Sequence, residues 1–81
     1  MIRVKFFANL RERLNCAQII VDYQGEDTVD DIKQSLVSLG SDWQVLTESD
    51  VLTAVNQTMS GPKAKVHDGD EVAFFPPVTG G

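Results

Sequence analysis

The stretch Thr28-Val29-Asp30-Asp31-Ile32-Lys33-Gln34-Ser35-Leu36-Val37-Ser38-Leu39-Gly40 reads as one amphipathic helix, and the architecture follows from it. Thr28 suits an N-cap, whose side-chain oxygen accepts from a backbone N–H of the first turn. Asp30 and Asp31 add negative charge where the helix dipole favours it. Val29, Ile32, Leu36 and Leu39 follow at spacings of three, four and three, an apolar stripe along one helical face. Gly40 suits the left-handed residue that closes a helix. A single amphipathic helix cannot bury its stripe alone, so a sheet must lie against it.

Strand patterns on both sides supply that sheet. Upstream, Ile2, Val4 and Phe6 alternate with Arg3 and Lys5, and Ala17, Ile19 and Val21 alternate with Gln18, Ile20 and Asp22. Between them Asn9–Leu14 reads as a short helical turn with Leu10 and Leu14 on one side. Downstream, 41–46 reads as a further helical turn, with Trp43 and Leu46 three apart. Leu52–Asn56 and Glu71–Phe75 then read as strands, the second entered through the turn Asp68-Gly69-Asp70. The expected class is α+β, a mixed sheet with a central parallel pair packed on one main helix.

The chain has 81 residues, room for one small core and no second one. Hydrophobic residues make up 42% and charged residues 23%, an ordinary globular balance. The longest apolar run is Val72–Phe75, too short for a membrane helix, and no leader-like segment opens the chain, so the cytoplasm is expected. Charge is uneven: residues 1–21 carry a net +3, 22–50 a net −7 and 51–81 a net −1, giving −5 in all. Such an acidic chain is a poor ligand for nucleic acid, which needs clustered Lys and Arg. The acidic middle is either a solvated face or a patch that steers a basic partner.

Side chains offer little chemistry. His67, the only histidine, sits in a turn beside Asp68-Gly69, where a general base has no evident partner. Cys16 is the only cysteine, which excludes an internal disulfide, and no Cys/His cluster is spaced for zinc. Only Arg13 is near enough in sequence to lower its pKa, so Cys16 reads as a structural thiol. Asp30-Asp31 and Asp68/Asp70 are explained by helix-start and turn chemistry, and no metal site is expected.

The end of the chain is different. Pro76-Pro77 stops the last strand, because neither nitrogen can donate to a ladder. Val78-Thr79-Gly80-Gly81 follows, and no charged side chain occurs from residue 72 onward. Gly80 and Gly81 lack Cβ atoms and fit a channel too narrow for other residues. What such a tail delivers is the α-carboxylate of Gly81, which becomes an electrophile once adenylation turns its oxygen into a leaving group.

Asp68-Gly69-Asp70-Glu71-Val72-Ala73-Phe74-Phe75-Pro76-Pro77-Val78-Thr79-Gly80-Gly81 closely resembles the end of the MoaD-type sulfur carriers, the small subunits of molybdopterin synthase. Phe6-Phe7-Ala8-Asn9-Leu10-Arg11-Glu12 resembles their first strand and short helix, and Ala54-Val55-Asn56-Gln57 their middle strand and turn. The resemblance spans essentially the whole chain. Asn15 stands where the family often has glycine, and asparagine tolerates the positive φ needed there.

The resemblance implies a ubiquitin-like β-grasp domain over 1–75 and an extended, flexible tail over 76–81. It implies that a MoeB-type enzyme adenylates Gly81 with ATP and that a sulfur donor protein converts it to a thiocarboxylate. The tail then enters a MoaE-type large subunit, in a heterotetramer. There its sulfur attacks cyclic pyranopterin monophosphate to build the molybdopterin dithiolene. On this reading Gly81 carries the sulfur, Gly80 allows close approach, and the large subunit supplies the remaining catalytic groups. The chain itself binds no cofactor. Related carriers serve the thiazole of thiamin, but they are usually shorter and lack the Phe-Phe-Pro-Pro-Val spacer. A protein modifier joined through Gly81 to lysines is a further alternative, as is a binding module with an inert tail.

Alternation in the last strand puts Val72 and Phe74 on one face and Ala73 and Phe75 on the other. If the first pair meets the helix stripe, Phe75 is left beside Pro76, Pro77, Val78 and Thr79 as a partner-binding anchor. The alternative is that Phe75 covers the second face of the sheet within the monomer.

Overall fold

Strand β1, Ile2–Phe6, buries Ile2, Val4 and Phe6 and leaves Arg3 exposed, as its alternation requires. The computed structural model describes residues 1–25, 27–48 and 50–77. Helix α1, Ala8–Leu14, buries Leu10 and ends on Asn15, which adopts the left-handed conformation at φ 50°, ψ 42°. The substitution expected to be tolerated there is tolerated, since the Asn15 N–H still closes the turn onto the Glu12 carbonyl at 3.2 Å. Strand β2, Gln18–Val21, returns antiparallel to β1.

Helix α2, Val29–Val37, begins at Thr28 in a capping box. The Thr28 hydroxyl accepts from the Asp31 N–H at 3.2 Å, and the Asp31 carboxylate accepts from the Thr28 N–H at 2.9 Å. Val29, Ile32 and Leu36 are buried. The expected continuation through Leu39 to a closing Gly40 is corrected. The helix stops at Val37 with Ser38 as C-cap, and the last turn tightens into i→i−3 bonds from Leu39 to Leu36 and from Gly40 to Val37. Tightening rotates Leu39 off the stripe, and it is exposed. Gly40 instead starts the next element, at φ 155°, ψ 175°, a region open essentially to glycine alone. That element is a 3₁₀ helix, Ser41–Thr47, which buries Val45 and Leu46.

Strands β3, Leu52–Val55, and β4, Thr58–Met59, form a hairpin whose loop residues Asn56 and Gln57 have φ 50° and 69°. Two positive φ values suit the tight turn that matches strand twist. Strand β5 is Glu71–Phe75, and the sheet order is β2-β1-β5-β3-β4. The β1–β5 pair is parallel and central; the other pairs are antiparallel. A parallel neighbour needs a crossover, and the helical layer carries it.

One core lies between sheet and helices: Ile2, Val4, Phe6, Val72 and Phe74 against Val29, Ile32 and Leu36, closed by Leu10, Val45, Leu46 and Val66. The Phe6 ring stacks on Phe74 at 6.0 Å and meets Trp43 edge-on at 5.5 Å. This is the ubiquitin-like β-grasp architecture. Strand β5 ends at Phe75, ahead of Pro76 and Pro77. The tail expected to continue through Val78, Thr79, Gly80 and Gly81 lies outside the described residues. No helix among the described residues is long and apolar enough to cross a membrane.

Candidate functional site

Strand β5 leaves the sheet from its centre, between β1 and β3. Its ladder runs Val4–Val72, Lys5–Ala73 and Phe6–Phe74 on one side, and Leu52–Phe75, Thr53–Phe74 and Ala54–Ala73 on the other. Beyond Phe6 the Phe7 N–H still donates to the Phe74 carbonyl at 3.2 Å. Pro76 and Pro77 then end the ladder, and both are half-buried. Both neighbours therefore fix the course of the backbone up to Phe75.

Val72 and Phe74 are fully buried on the helix side. Alternation turns Ala73 and Phe75 to the outer face, with their register partners Leu52 and Ala54. Phe75 is half-buried there and Ala73 is shielded by its larger neighbours. The face assignment from strand alternation holds. Phe7 follows inward-facing Phe6 with extended backbone, φ −127°, ψ 157°, so it also points outward, and it is 47% exposed. Met59 pairs with Ala54, which puts it on the same face, 60% exposed.

The outer face is therefore divided by character. Near the start of β5 it is mixed, with Arg3 and its register partner Ile20 exposed and Lys5 Nζ 3.1 Å from Glu71 Oε1. Near the exit it is apolar, formed by Phe7, Leu52, Phe75 and the proline pair, with Met59 on the flank. Phe7 and Met59 are the exposed members, and Leu52, Phe75 and the prolines are half-buried; large exposed apolar patches on a small domain mark contact sites. Phe7, Leu52 and Met59 escape a linear reading, because only the sheet register brings them beside Phe75. The Phe6-Phe7 pair held a signal: one aromatic of an alternating pair must face away from the core.

Backbone geometry sharpens this edge. Ala8 has φ 53°, which turns the chain out of β1 into α1 directly after Phe7. A left-handed L-residue costs about 1–2 kcal/mol. The neighbouring ladder bond from Phe7 to Phe74 is part of what holds the chain in that turn.

The opposite end of β5 is anchored by Asp70. Its carboxylate accepts from the His67 N–H at 2.8 Å and from Asn56 Nδ2 at 3.1 Å. These bonds, the His67 backbone N–H foremost, hold the Asp70 carboxyl below its usual range. Asn56 and Glu71 exchange a second pair of bonds, at 2.8 and 3.0 Å, which ties the β3–β4 turn to the entry of β5. The Met1 amine pairs with Asp68 at the same end.

The other sequence candidates stay apart from the exit. His67 is exposed in its turn, with Nδ1 3.7 Å from Asp70. Cys16 is half-buried, and its thiol donates to the Gln18 carbonyl at 3.4 Å. A shallow groove of about 440 Å³ beside α1 holds the Arg13–Glu48 pair, with Nη2 3.4 Å from Oε1. Among the described residues no three His, Cys, Asp or Glu side chains converge on a metal position. The described structure thus presents an apolar edge beside a fixed last strand, while Gly80 and Gly81 fall outside the described residues.

Comparison with known proteins matches this arrangement. The sequence model of the ThiS family matches residues 4–81. The molybdopterin synthase sulfur carrier subunit of Escherichia coli (strain K12) is 40% identical over 84 aligned positions, covering all of both chains. The protein of the same name from Haemophilus influenzae is 40% identical over 85 positions, again covering all of both. Among solved structures, SAMP1 from Haloferax volcanii superposes with a TM-score of 0.85 at 28% identity, over 99% of this chain and 98% of that one. With a full-length match in sequence and the same β-grasp around its exit strand, this chain belongs to the ThiS family and, within it, to the MoaD type of sulfur carrier subunit.

Proposed function

We propose that this chain is the sulfur-donating small subunit of a molybdopterin synthase and that Gly81 is its reactive residue. A MoeB-type enzyme joins the Gly81 carboxylate to AMP, consuming ATP and releasing pyrophosphate. Sulfur delivered at the sulfide level by a donor protein attacks the acyl carbon, the C–O bond to AMP breaks, AMP leaves, and a thiocarboxylate remains. The tail then enters a MoaE-type large subunit, where its sulfur attacks cyclic pyranopterin monophosphate on the way to the dithiolene. The chain acts in the cytoplasm, holds no cofactor and carries no complete active site; its sulfurtransferase activity exists only in the assembled heterotetramer.

The apolar outer face at the β5 exit docks on the large subunit. Phe75 and Phe7 anchor it, and Pro76, Pro77, Val78 and Thr79 lead the tail inward. Domain 1–75 is the handle and 76–81 the working arm. The observation that carries this reading is the full-length 40% identity with two proteins named molybdopterin synthase sulfur carrier subunits. Deletion of Gly81 is the test. The deleted chain should retain the parent's circular dichroism and melting behaviour but convert no precursor. Precursor conversion by that chain would refute the carrier reading.

A second reading is favoured by one observation, the likeness to SAMP1, small archaeal modifier protein 1. In that case Gly81 is joined to substrate lysines by isopeptide bonds. High-molecular-weight adducts that survive reducing agent would support it. A carrier for the thiamin thiazole would instead leave molybdopterin synthesis unaffected when this chain is lost.

A further inference from the structure

We propose that Met59 is a peroxide-sensitive switch on docking: oxidation of its thioether to the sulfoxide releases the large subunit and leaves the fold intact. The proposal rests on the docking reading above and adds regulation to that face.

The chain has two methionines, Met1 and Met59, and both are open to an oxidant at 68% and 60% exposure. Neither belongs to the core cluster. Their positions differ in one decisive respect. Met59 pairs with Ala54, which pairs with Ala73, so it lies on the outer face one strand from Leu52, diagonal to it, and two strands from Phe75. Met1 lies at the other pole, where its carbonyl accepts from the Gly69 N–H at 2.8 Å. Because β1 and β5 run parallel, the length of a five-residue strand, roughly 16 Å, separates Met1 from the exit. One methionine is in the docking face, and the other is a control built into the same chain.

The chemistry needs only hydrogen peroxide as oxidant. The sulfur lone pair attacks one peroxide oxygen, the O–O bond breaks, an S–O bond forms, and the other oxygen leaves as water. Sulfur loses two electrons and peroxide gains them. The product is a polar, chiral group with a strong acceptor oxygen, where the apolar face had a soft thioether. Buried in an interface without a donor, that oxygen is penalised. In the free subunit it stays in water, since β4 is a two-residue edge strand held through its backbone. Reduction by methionine sulfoxide reductases makes the step reversible.

The experiment uses the full chain carrying Cys16→Ser, so that thiol oxidation cannot contribute, with its cognate large subunit as the probe. Peptide mass mapping after peroxide treatment should find sulfoxide at both methionines. Calorimetric titration should show affinity reduced at least tenfold and restored by the reductases. In a Met59→Leu chain Met1 still oxidises, and affinity should be the same before and after peroxide. In the complex, oxidation of Met59 should slow at least fivefold while that of Met1 is unchanged. An oxidised parent that binds within twofold of the reduced one, or a Met59→Leu chain that loses affinity on oxidation as the parent does, would overturn the switch. Unoxidised Met59→Asp and Phe75→Ala chains separate the two readings. If both bind like the parent, the docking face itself is wrong. If they bind weakly while oxidised parent binds normally, only the switch fails.

Discussion

Phe74 and Phe75 are adjacent, chemically identical and assigned opposite work by strand alternation. Phe74 is fully buried and stacks on Phe6, so Phe74→Ala should destabilise the isolated chain by roughly 3–5 kcal/mol through the cavity it leaves. Phe75 lies half-buried on the outer face, so Phe75→Ala should cost the monomer less and weaken large-subunit binding by about 1–3 kcal/mol. Equilibrium denaturation of both chains with titration against the large subunit checks the contrast; a larger stability loss from Phe75→Ala would reverse it. Asp70 makes a pH-dependent prediction. Its folded pKa is depressed, mainly by the His67 N–H, so the ionised form favours the folded state. That contribution is present above the unfolded carboxyl pKa of about 3.9 and is lost as pH falls through the lower folded value. Asp70→Ala should therefore cost about 1–2 kcal/mol at neutral pH, where the bonds are charge-assisted. Denaturation curves taken at successive pH values should show this gap narrowing below about pH 4. A gap that widens in acid would contradict the assignment.

Among the elements, α2 was the most legible in sequence and still held a misreading, as did the third strand, which ends at Val55 rather than Asn56. Its start was encoded twice, by the Thr28 hydroxyl and by Asp31 three residues on, and both bonds form. Thr28→Ala should cost about 1 kcal/mol, which in a domain of this size lowers the melting temperature by roughly 4–8 °C. A thermal melt indistinguishable from the parent would mean the box is not holding the helix. The far end was not legible, because the Leu39 spacing fits a continuing helix as well as a tightened last turn. The choice is made by Ser38, whose hydroxyl donates to the Ser35 carbonyl at 2.6 Å, and by Gly40, whose backbone angles serve the next element. Strand β4 was hidden for a related reason. Two residues are too few to show alternation, and the Asn56-Gln57 turn declares itself only through its φ values.

At the scale of the whole molecule, the sheet order separates entry from exit. The chain's amino end and the Asp68–Asp70 turn share one pole, while Phe7, Leu52 and Phe75 gather at the other. Alternation and turn residues could forecast every strand but β4 and the α+β class, and the fourteen residues from Asp68 to Gly81 pointed to the family. They could not forecast the apolar edge around Phe75, which draws on β1, β3 and β4 and exists only once register is set. In the proposed function Gly81 leaves the activating step carrying sulfur. Intact-mass measurement of the protein purified from its native cells, with fragmentation of the carboxyl-terminal peptide, tests it most directly. A population heavier by the exchange of one oxygen for one sulfur is expected, with the gain confined to Gly81 and absent from cells lacking the adenylating enzyme. A chain with an unmodified Gly81 carboxylate in every molecule, in cells that are actively making molybdopterin, would contradict it.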